Sequence, residues 1–184
     1  MPNVVVILYS TYNFRQDMIY AFDSYYYDDK AKTVGIVLDS FTAASPAQVY
    51  TEIKEGIEAY EPGAFYKREL PCIASLLQQM PATLPQAIII DGFVVLDDEG
   101  NKGLGGYVFE LLEGKVPVIG VAKTDYAGFE QLKRAVLRGE SQRPLFVSAL
   151  GMDIDTAAAH IKSMYGEFRI PQVLKELDTL TKQV

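Results

Sequence analysis

Residues Ala87–Asp91 read Ala-Ile-Ile-Ile-Asp, an unbroken apolar run closed by an acid. Successive side chains of a strand point to opposite faces, so a run apolar throughout must be covered on both. Val116–Ala122 makes the same demand. Two such strands call for a sheet layered between helices. The pattern supplies helices over Ile73–Gln79 after Pro71, Gly103–Leu112, Ala127–Leu137, Asp155–Tyr165 and Gln172–Lys182, the last starting behind Pro171. Further strands are expected at Val4–Tyr9, Ile19–Tyr27, Val34–Phe41 and Leu145–Ser148, rich in β-branched and aromatic residues. The polar link Asp28-Asp29-Lys30-Ala31-Lys32 makes the second and third of these antiparallel neighbours. Val49–Glu58 fits strand and helix periods equally, and Glu61-Pro62-Gly63 is a turn. With antiparallel strands first and strand–helix alternation after, the fold class is α/β, a mixed sheet flanked by helices. No linker or repeat divides the chain, so residues 1–184 are expected to form one domain.

The 184 residues are 49% hydrophobic and 22% charged, ordinary globular values. No apolar stretch approaches the roughly 18 residues that span a bilayer. The start, Pro2-Asn3-Val4-Val5-Val6, lacks the cationic head of a signal peptide and is expected to be a strand. Cys72 is the sole cysteine, which fits a reducing cytoplasm. The net charge of −7 argues against plain phosphate binding. Basic residues are nevertheless grouped at Lys30/Lys32, Lys67/Arg68 and Lys133/Arg134/Arg138/Arg143, with Arg134 and Arg138 on one face if that segment is helical.

Three acids stand in apolar settings: Asp23 inside Ile19–Tyr25, Asp91 at the end of its isoleucine run, and Glu69 just before Pro71. A buried carboxylate is costly unless paired or bound to a cation. Ligands of open α/β sheets gather at the carboxyl ends of strands, where Asp91 falls. Together the acids suggest a divalent cation, magnesium foremost and manganese as a substitute, serving phosphodiester hydrolysis.

The words around these acids carry a resemblance. Asp23-Ser24-Tyr25-Tyr26-Tyr27-Asp28-Asp29-Lys30-Ala31, Tyr60-Glu61-Pro62-Gly63 through Arg68-Glu69, Ile90-Asp91-Gly92, Pro117-Val118-Ile119-Gly120-Val121-Ala122-Lys123, Pro144–Ser148 and Arg169-Ile170-Pro171 through Asp178 together resemble the motifs of the endonuclease V family. That resemblance implies a ribonuclease-H-like sheet with Asp23 on a central strand, and settles Val49–Ile53 as a third antiparallel strand. It implies metal ligation by Asp23, Glu69, Asp91 and Asp178, and charge stabilisation by Lys123. It also implies a wedge of Tyr60, Glu61 and Pro62 that opens the duplex, and a substrate pocket touching Gly63 and Gly92. The implied activity is magnesium-dependent cleavage of DNA-repair type near deoxyinosine in DNA or inosine in RNA, leaving 3′-hydroxyl and 5′-phosphate ends. Separately, the chain is expected to act as a monomer.

One stretch departs from the family's pattern. Its Asp-Gly is followed by His-Gly and then His-Pro-Arg, whereas Phe93-Val94-Val95-Leu96-Asp97-Asp98-Glu99 stands here. Acids in that loop would repel a phosphate backbone or draw in another cation. The departure keeps two alternatives open: a binding module that has lost catalysis, and a nuclease of altered specificity. His160 and Cys72 fall outside a catalytic pattern and are expected to be packing residues. Tyr25-Tyr26-Tyr27 has the aromatic surface to stack on bases, but three aromatics on a strand are expected to divide between core and one exposed face, and Gly103-Leu104-Gly105-Gly106 to allow close helix packing rather than phosphate binding.

Overall fold

A computed structural model describes residues 17–57, 65–126 and 128–184. The expected strand Val4–Tyr9 and turn Glu61-Pro62-Gly63 lie outside the described residues. Strands β1 (Ile19–Tyr27), β2 (Lys30–Leu38) and β3 (Gln48–Lys54) form an antiparallel meander. The β1–β2 turn is only Asp28-Asp29, with Asp28 at φ 50°. A short polar side chain tolerates that left-handed conformation, so the link seen in the sequence is a tight hairpin.

On its other edge β1 takes β4 (Ala87–Asp91) in parallel, and β4 takes β5 (Val118–Ala122) in parallel. The strands β6 (Arg134–Val136) and β7 (Leu145–Leu150) form a hairpin, with β7 antiparallel to β5. The sheet order is β3-β2-β1-β4-β5-β7-β6. It is the expected mixed sheet, except that its far edge turns antiparallel again.

Helices cover both faces. On one side α1 (Phe65–Leu77) and α2 (Leu104–Leu111) bury Ile73, Leu76 and Val108 against Tyr20, Phe22, Ile88 and Ile90. On the other, α3 (Ile154–Ser163) and α4 (Gln172–Lys182) bury Ala157, Ile161, Val173 and Leu177 against Ile19, Ala21, Ile89 and Ile119. Each fully buried isoleucine contributes roughly 1.5–3 kcal/mol, which is why the Ile88-Ile89-Ile90 run anchors both layers.

Two helix expectations need correction. The first helix begins at Phe65, not Ile73, and Pro71 lies inside it. Pro71 denies Lys67 its i+4 donor. Glu69, Cys72, Ile73 and Leu76 nonetheless fall on one buried stripe, and that packing outweighs the missing bond. The segment read as helix Ala127–Leu137 instead yields β6, flanked by irregular chain. Its basic residues are spent internally. Lys133 is 5% exposed and bonds Asp125 at 2.6 Å, and Arg134 bonds Asp155 at 2.6 Å. The buried Arg138 donates to carbonyls of Met164, Gly166 and Phe168. Arg134 and Arg138 therefore form no shared helical face for phosphates.

Gly105 and Gly106 do serve close packing: a Cβ on either would stand 2.7 Å from Val94. Cys72 is buried and free, and His160 stacks on Phe41 with ring centroids 3.9 Å apart.

Candidate active site

The two-residue period of the strands decides which acids can meet. Ile19 and Ala21, Ala87 and Ile89, and Ile119 and Val121 all face α3 and α4. Asp23, Asp91 and Lys123 continue those three series by two residues each, so all three side chains project to that face, Asp91 and Lys123 at the carboxyl ends of β4 and β5 and Asp23 within β1, where its pairing with β4 stops. The registers Phe22↔Ile90 and Asp91↔Val121 bring them side by side. A cleft there is lined by Asp23, Asp91, Lys123 and Asp178 over an apolar floor that includes Ile170 and Leu174.

Lys123 is the hub. Its Nζ lies 3.0 Å from Asp91 Oδ2 and 3.4 Å from Asp178 Oδ1. Burial works against its charge, but Asp91, then Asp178 and Asp23, hold its pKa above the usual lysine value. Asp178 rides on α4, where Lys182 one turn on donates to both its oxygens. Burial opposes the Asp178 charge, yet Lys182 and Lys123 keep its pKa below the ordinary aspartate value. Asp23 accepts from its neighbour's N–H, Ser24, at 3.0 Å and from the Thr181 hydroxyl at 3.2 Å. Burial, followed by repulsion from Asp91, lifts its pKa to about 6.

Glu69 arrives from α1, on the opposite layer. It is 4% exposed, and its Oε2 has no hydrogen-bond partner among the described residues. Burial first, then repulsion from Asp23 and Asp91, pushes its carboxyl well above the usual glutamate range. The five expected residues thus share one electrostatic neighbourhood. Among the described residues, however, no three acids, histidines or cysteines are already spaced around a common ion. Tyr60, Glu61, Pro62 and Gly63 lie outside the described residues.

Gly92 turns the chain just past Asp91. Its φ is 107°, its N–H donates to Val121 O at 3.0 Å, and its carbonyl lies 2.5 Å from where a Cβ on Gly120 would stand. Only glycine fits at both places, and that crossing sets the height of Asp91 over β5.

The acids of the departing loop have different work from the one expected. Asp97 accepts from the backbone N–H of Glu99 and of Asn101, closing a turn. Asp98 accepts from three successive N–H groups, Glu130 at 3.0 Å, Gln131 at 2.8 Å and Leu132 at 3.1 Å. The Asn101 side-chain amide, which donates to Asp97, and then these backbone bonds lower the Asp97 pKa, and the backbone N–H of Glu130 foremost lowers that of Asp98. Asp98 thereby ties the loop after Asp91 to the segment after Lys123. Asp98→Ala is expected to speed amide exchange at residues 130–132 by at least about 10-fold, since three charge-assisted bonds vanish together. Asp98→Asn, which keeps an acceptor oxygen, should fall between; mass-resolved hydrogen exchange reads both.

Sequence reasoning missed the supports of the site. Arg169 donates to Pro144 O at 2.8 Å and to the carbonyl of Lys123 itself, bracing the lysine from behind. Thr181 stands one helical turn from Asp178, a spacing that was visible once α4 was placed; the Arg169 contact spans 46 residues and left no local signal.

The endonuclease V family model matches residues 5–179 of this chain. The chain belongs to the endonuclease V family. It is an endonuclease by that membership. An endonuclease V of Streptomyces avermitilis is 29% identical over 179 residues, covering 85% of this chain and 76% of its own length. The crystal structure of endonuclease V from that organism superposes with a TM-score of 0.77 at 28% identity, covering 90% of this chain and 80% of the other. Endonuclease V of Ciona intestinalis, solved in complex with a 24mer DNA containing an inosine followed by a ribo-adenosine, shares the fold at a TM-score of 0.77 and 20% identity, covering 92% and 85%. No helix among the described residues is long and apolar enough to cross a membrane.

Proposed function

We propose that this member of the endonuclease V family hydrolyses a phosphodiester bond near a deaminated purine, deoxyinosine in DNA or inosine in RNA, as a repair enzyme. The observation that carries the reading is the convergence of Asp23 and Asp91, on adjacent strands, beside the Lys123 ammonium. The inosine-containing DNA bound by the Ciona intestinalis relative supports the choice of base. A single cysteine suits a reducing compartment, so the proposal places the enzyme in the cytoplasm, and it takes the chain as a single-domain monomer.

The donor set fits a divalent cation. Asp23 and Glu69 carry raised proton affinities because burial disfavours their charge and neighbouring acids add to it, and Glu69 Oε2 lacks a partner among the described residues. Magnesium takes one or two carboxylates and keeps several waters, so the pair Asp23 and Asp91 suffices to hold it, with Glu69 and Asp178 flanking and manganese as a substitute. When bound, such an ion supplies positive charge to the phosphate and makes water more acidic.

This chain's own residues do the rest. Asp178 holds Lys123, and the Lys123 ammonium meets the charge that grows on the phosphate oxygens. The oxygen of water bonds to phosphorus and releases a proton to solvent, the P–O3′ bond breaks, and the departing O3′ takes a proton from solvent, leaving 3′-hydroxyl and 5′-phosphate ends. The wedge and base pocket assigned to Tyr60, Glu61, Pro62 and Gly63 belong to this proposal, as does Gly92.

The test is cleavage of labelled strands carrying deoxyinosine, uracil, a mismatch or no lesion, and of RNA with inosine, in magnesium and in chelator. Magnesium-dependent cutting confined to the inosine strands is the expected result. Binding without cutting would overturn the enzymatic reading, and equal cutting of every strand would overturn the base preference. A second reading, altered specificity, is favoured by one observation: Phe93, packed edge-on to Phe129 at 5.4 Å, stands in the loop where the family carries histidine.

A further inference from the structure

The three tyrosines that follow Asp23 do not act alike. Tyr26 turns to the α1 layer, where the Arg68 guanidinium lies 3.6 Å from its ring centroid and Phe65 meets it edge-on. Its burial there is structural. Tyr25 and Tyr27 point the other way, continuing the series Ile19, Ala21, Asp23 on the face that carries the catalytic groups. Their rings stack on each other, with centroids 6.1 Å apart and planes 17° from parallel. Both are half-exposed.

Their place in the sheet is unusual. The last registered pair between β1 and β4 is Phe22↔Ile90, so Ser24–Tyr27 overhangs its neighbour and is paired only with β2. Opposite the tyrosines on β2 stand Lys32, facing Tyr25, and Lys30, facing Tyr27. The Lys32 ammonium reaches the Gln183 carbonyl at the end of α4, and Lys30 pairs with Glu55. Cross-strand neighbours share a face, so two aromatic rings and the stems of two lysines form one strip that begins at Asp23 and runs outward. Asp28 and Asp29 close its far end.

We infer that Tyr25 and Tyr27 form a stacking platform for two nucleobases of the strand being cut, just beyond the Asp23 side of the cleft. The inference rests on the reading of the substrate as nucleic acid. Occupancy by nucleobases follows from two facts. The platform is continuous with the catalytic face. Its surface is two stacked rings with little net positive charge, because Lys30 pairs with Glu55 and the charge of Lys32 is offset by Asp28 and Asp29 at the far end, so the binding force is stacking rather than phosphate pairing. Base–aromatic stacking tolerates any sequence, so the platform grips a strand without reading it.

The chain has no tryptophan, which gives a silent background for the test. Tyr27→Trp protein is titrated with a short unmodified single-stranded oligonucleotide in chelator, so that no cutting intervenes. The expected result is quenching of the new indole on binding. In parallel, the double variant Tyr25→Leu/Tyr27→Leu, which keeps apolar bulk, should bind about 10-fold more weakly or worse. Its salt dependence should be unchanged, because no phosphate contact is lost. Tyr25→Phe/Tyr27→Phe should bind like the wild type, which separates stacking from hydroxyl hydrogen bonding. A silent indole at saturation, or full affinity in the leucine variant, overturns the platform while leaving the nuclease reading in place. Failure of the wild type to bind any strand overturns both.

Discussion

Asp91→Ala protein is expected to fold normally and to lose at least about 10³-fold in magnesium-dependent cleavage. The carboxylate it removes does two jobs at once: it is one of the pair that holds the cation, and it fixes Lys123 Nζ at 3.0 Å. Electrostatic stabilisation of a developing phosphate charge by an ion is worth several kcal/mol, and 4 kcal/mol corresponds to about 10³ in rate. Lys123→Met separates the two jobs. It removes a fixed cation from the transition state and should cost about 10²–10³ in kcat with little change in KM. It leaves Asp23 and Asp91 free to bind the ion, indeed more tightly, because the competing ammonium is gone. Steady-state kinetics of both variants, checked by circular dichroism, reads the contrast. Comparable activity in Asp91→Ala and wild type would remove that residue from the site.

The second expected result is a gain. In chelator at pH 7.5, Asp23→Asn protein should be more stable than the wild type by about 3 kcal/mol, from a pKa that moves from 3.8 unfolded to about 6 folded. The sign follows from which state binds protons more tightly. The folded chain does, so the stabilisation is complete below pH 4 and is lost as pH rises through about 6. Wild-type stability attributable to Asp23 should therefore fall between pH 4 and 6, and the asparagine variant should lack that fall. Glu69, also raised, acts in the same direction, so Glu69→Gln should stabilise as well. For a chain of this size 3 kcal/mol shifts Tm by roughly 6–12 °C. Added magnesium should raise the Tm of the wild type at pH 7.5 and have little effect on Asp23→Asn. Thermal melts at pH 4.5 and 7.5, with and without magnesium, test this. A wild type more stable than Asp23→Asn in chelator at pH 7.5 would contradict it. The strain is the usual cost of a site kept for chemistry rather than stability.

Where side-chain pattern and burial agreed, the sequence was readable. Ile19–Tyr27, Ala87–Asp91 and Gln172–Lys182 were placed residue for residue, because each has a period that only one layered arrangement satisfies. Asp23 inside its strand and Asp91 at the end of its run were legible as acids in apolar settings, whereas Lys123 was marked by the family resemblance. Residues 127–137 misled because Gln131-Leu132-Lys133-Arg134-Ala135 favours helix locally. Edge pairing of β6 with β7 and the burial of Lys133 against Asp125 are long-range effects that override such a preference. Pro71 misled in the opposite sense, since a proline that usually starts a helix was tolerated within one. Asp98 was read as a charge that would repel phosphate or draw in another cation because its three backbone donors lie more than thirty residues away.

The most direct test of the site is manganese uptake followed by electron paramagnetic resonance in the wild type, Asp91→Ala and Lys123→Met. Saturable binding in the wild type, lost in Asp91→Ala and kept or tightened in Lys123→Met, is the predicted pattern. Equal uptake by wild type and Asp91→Ala, or no uptake by either, would contradict a cation held beside Lys123 at the strand ends.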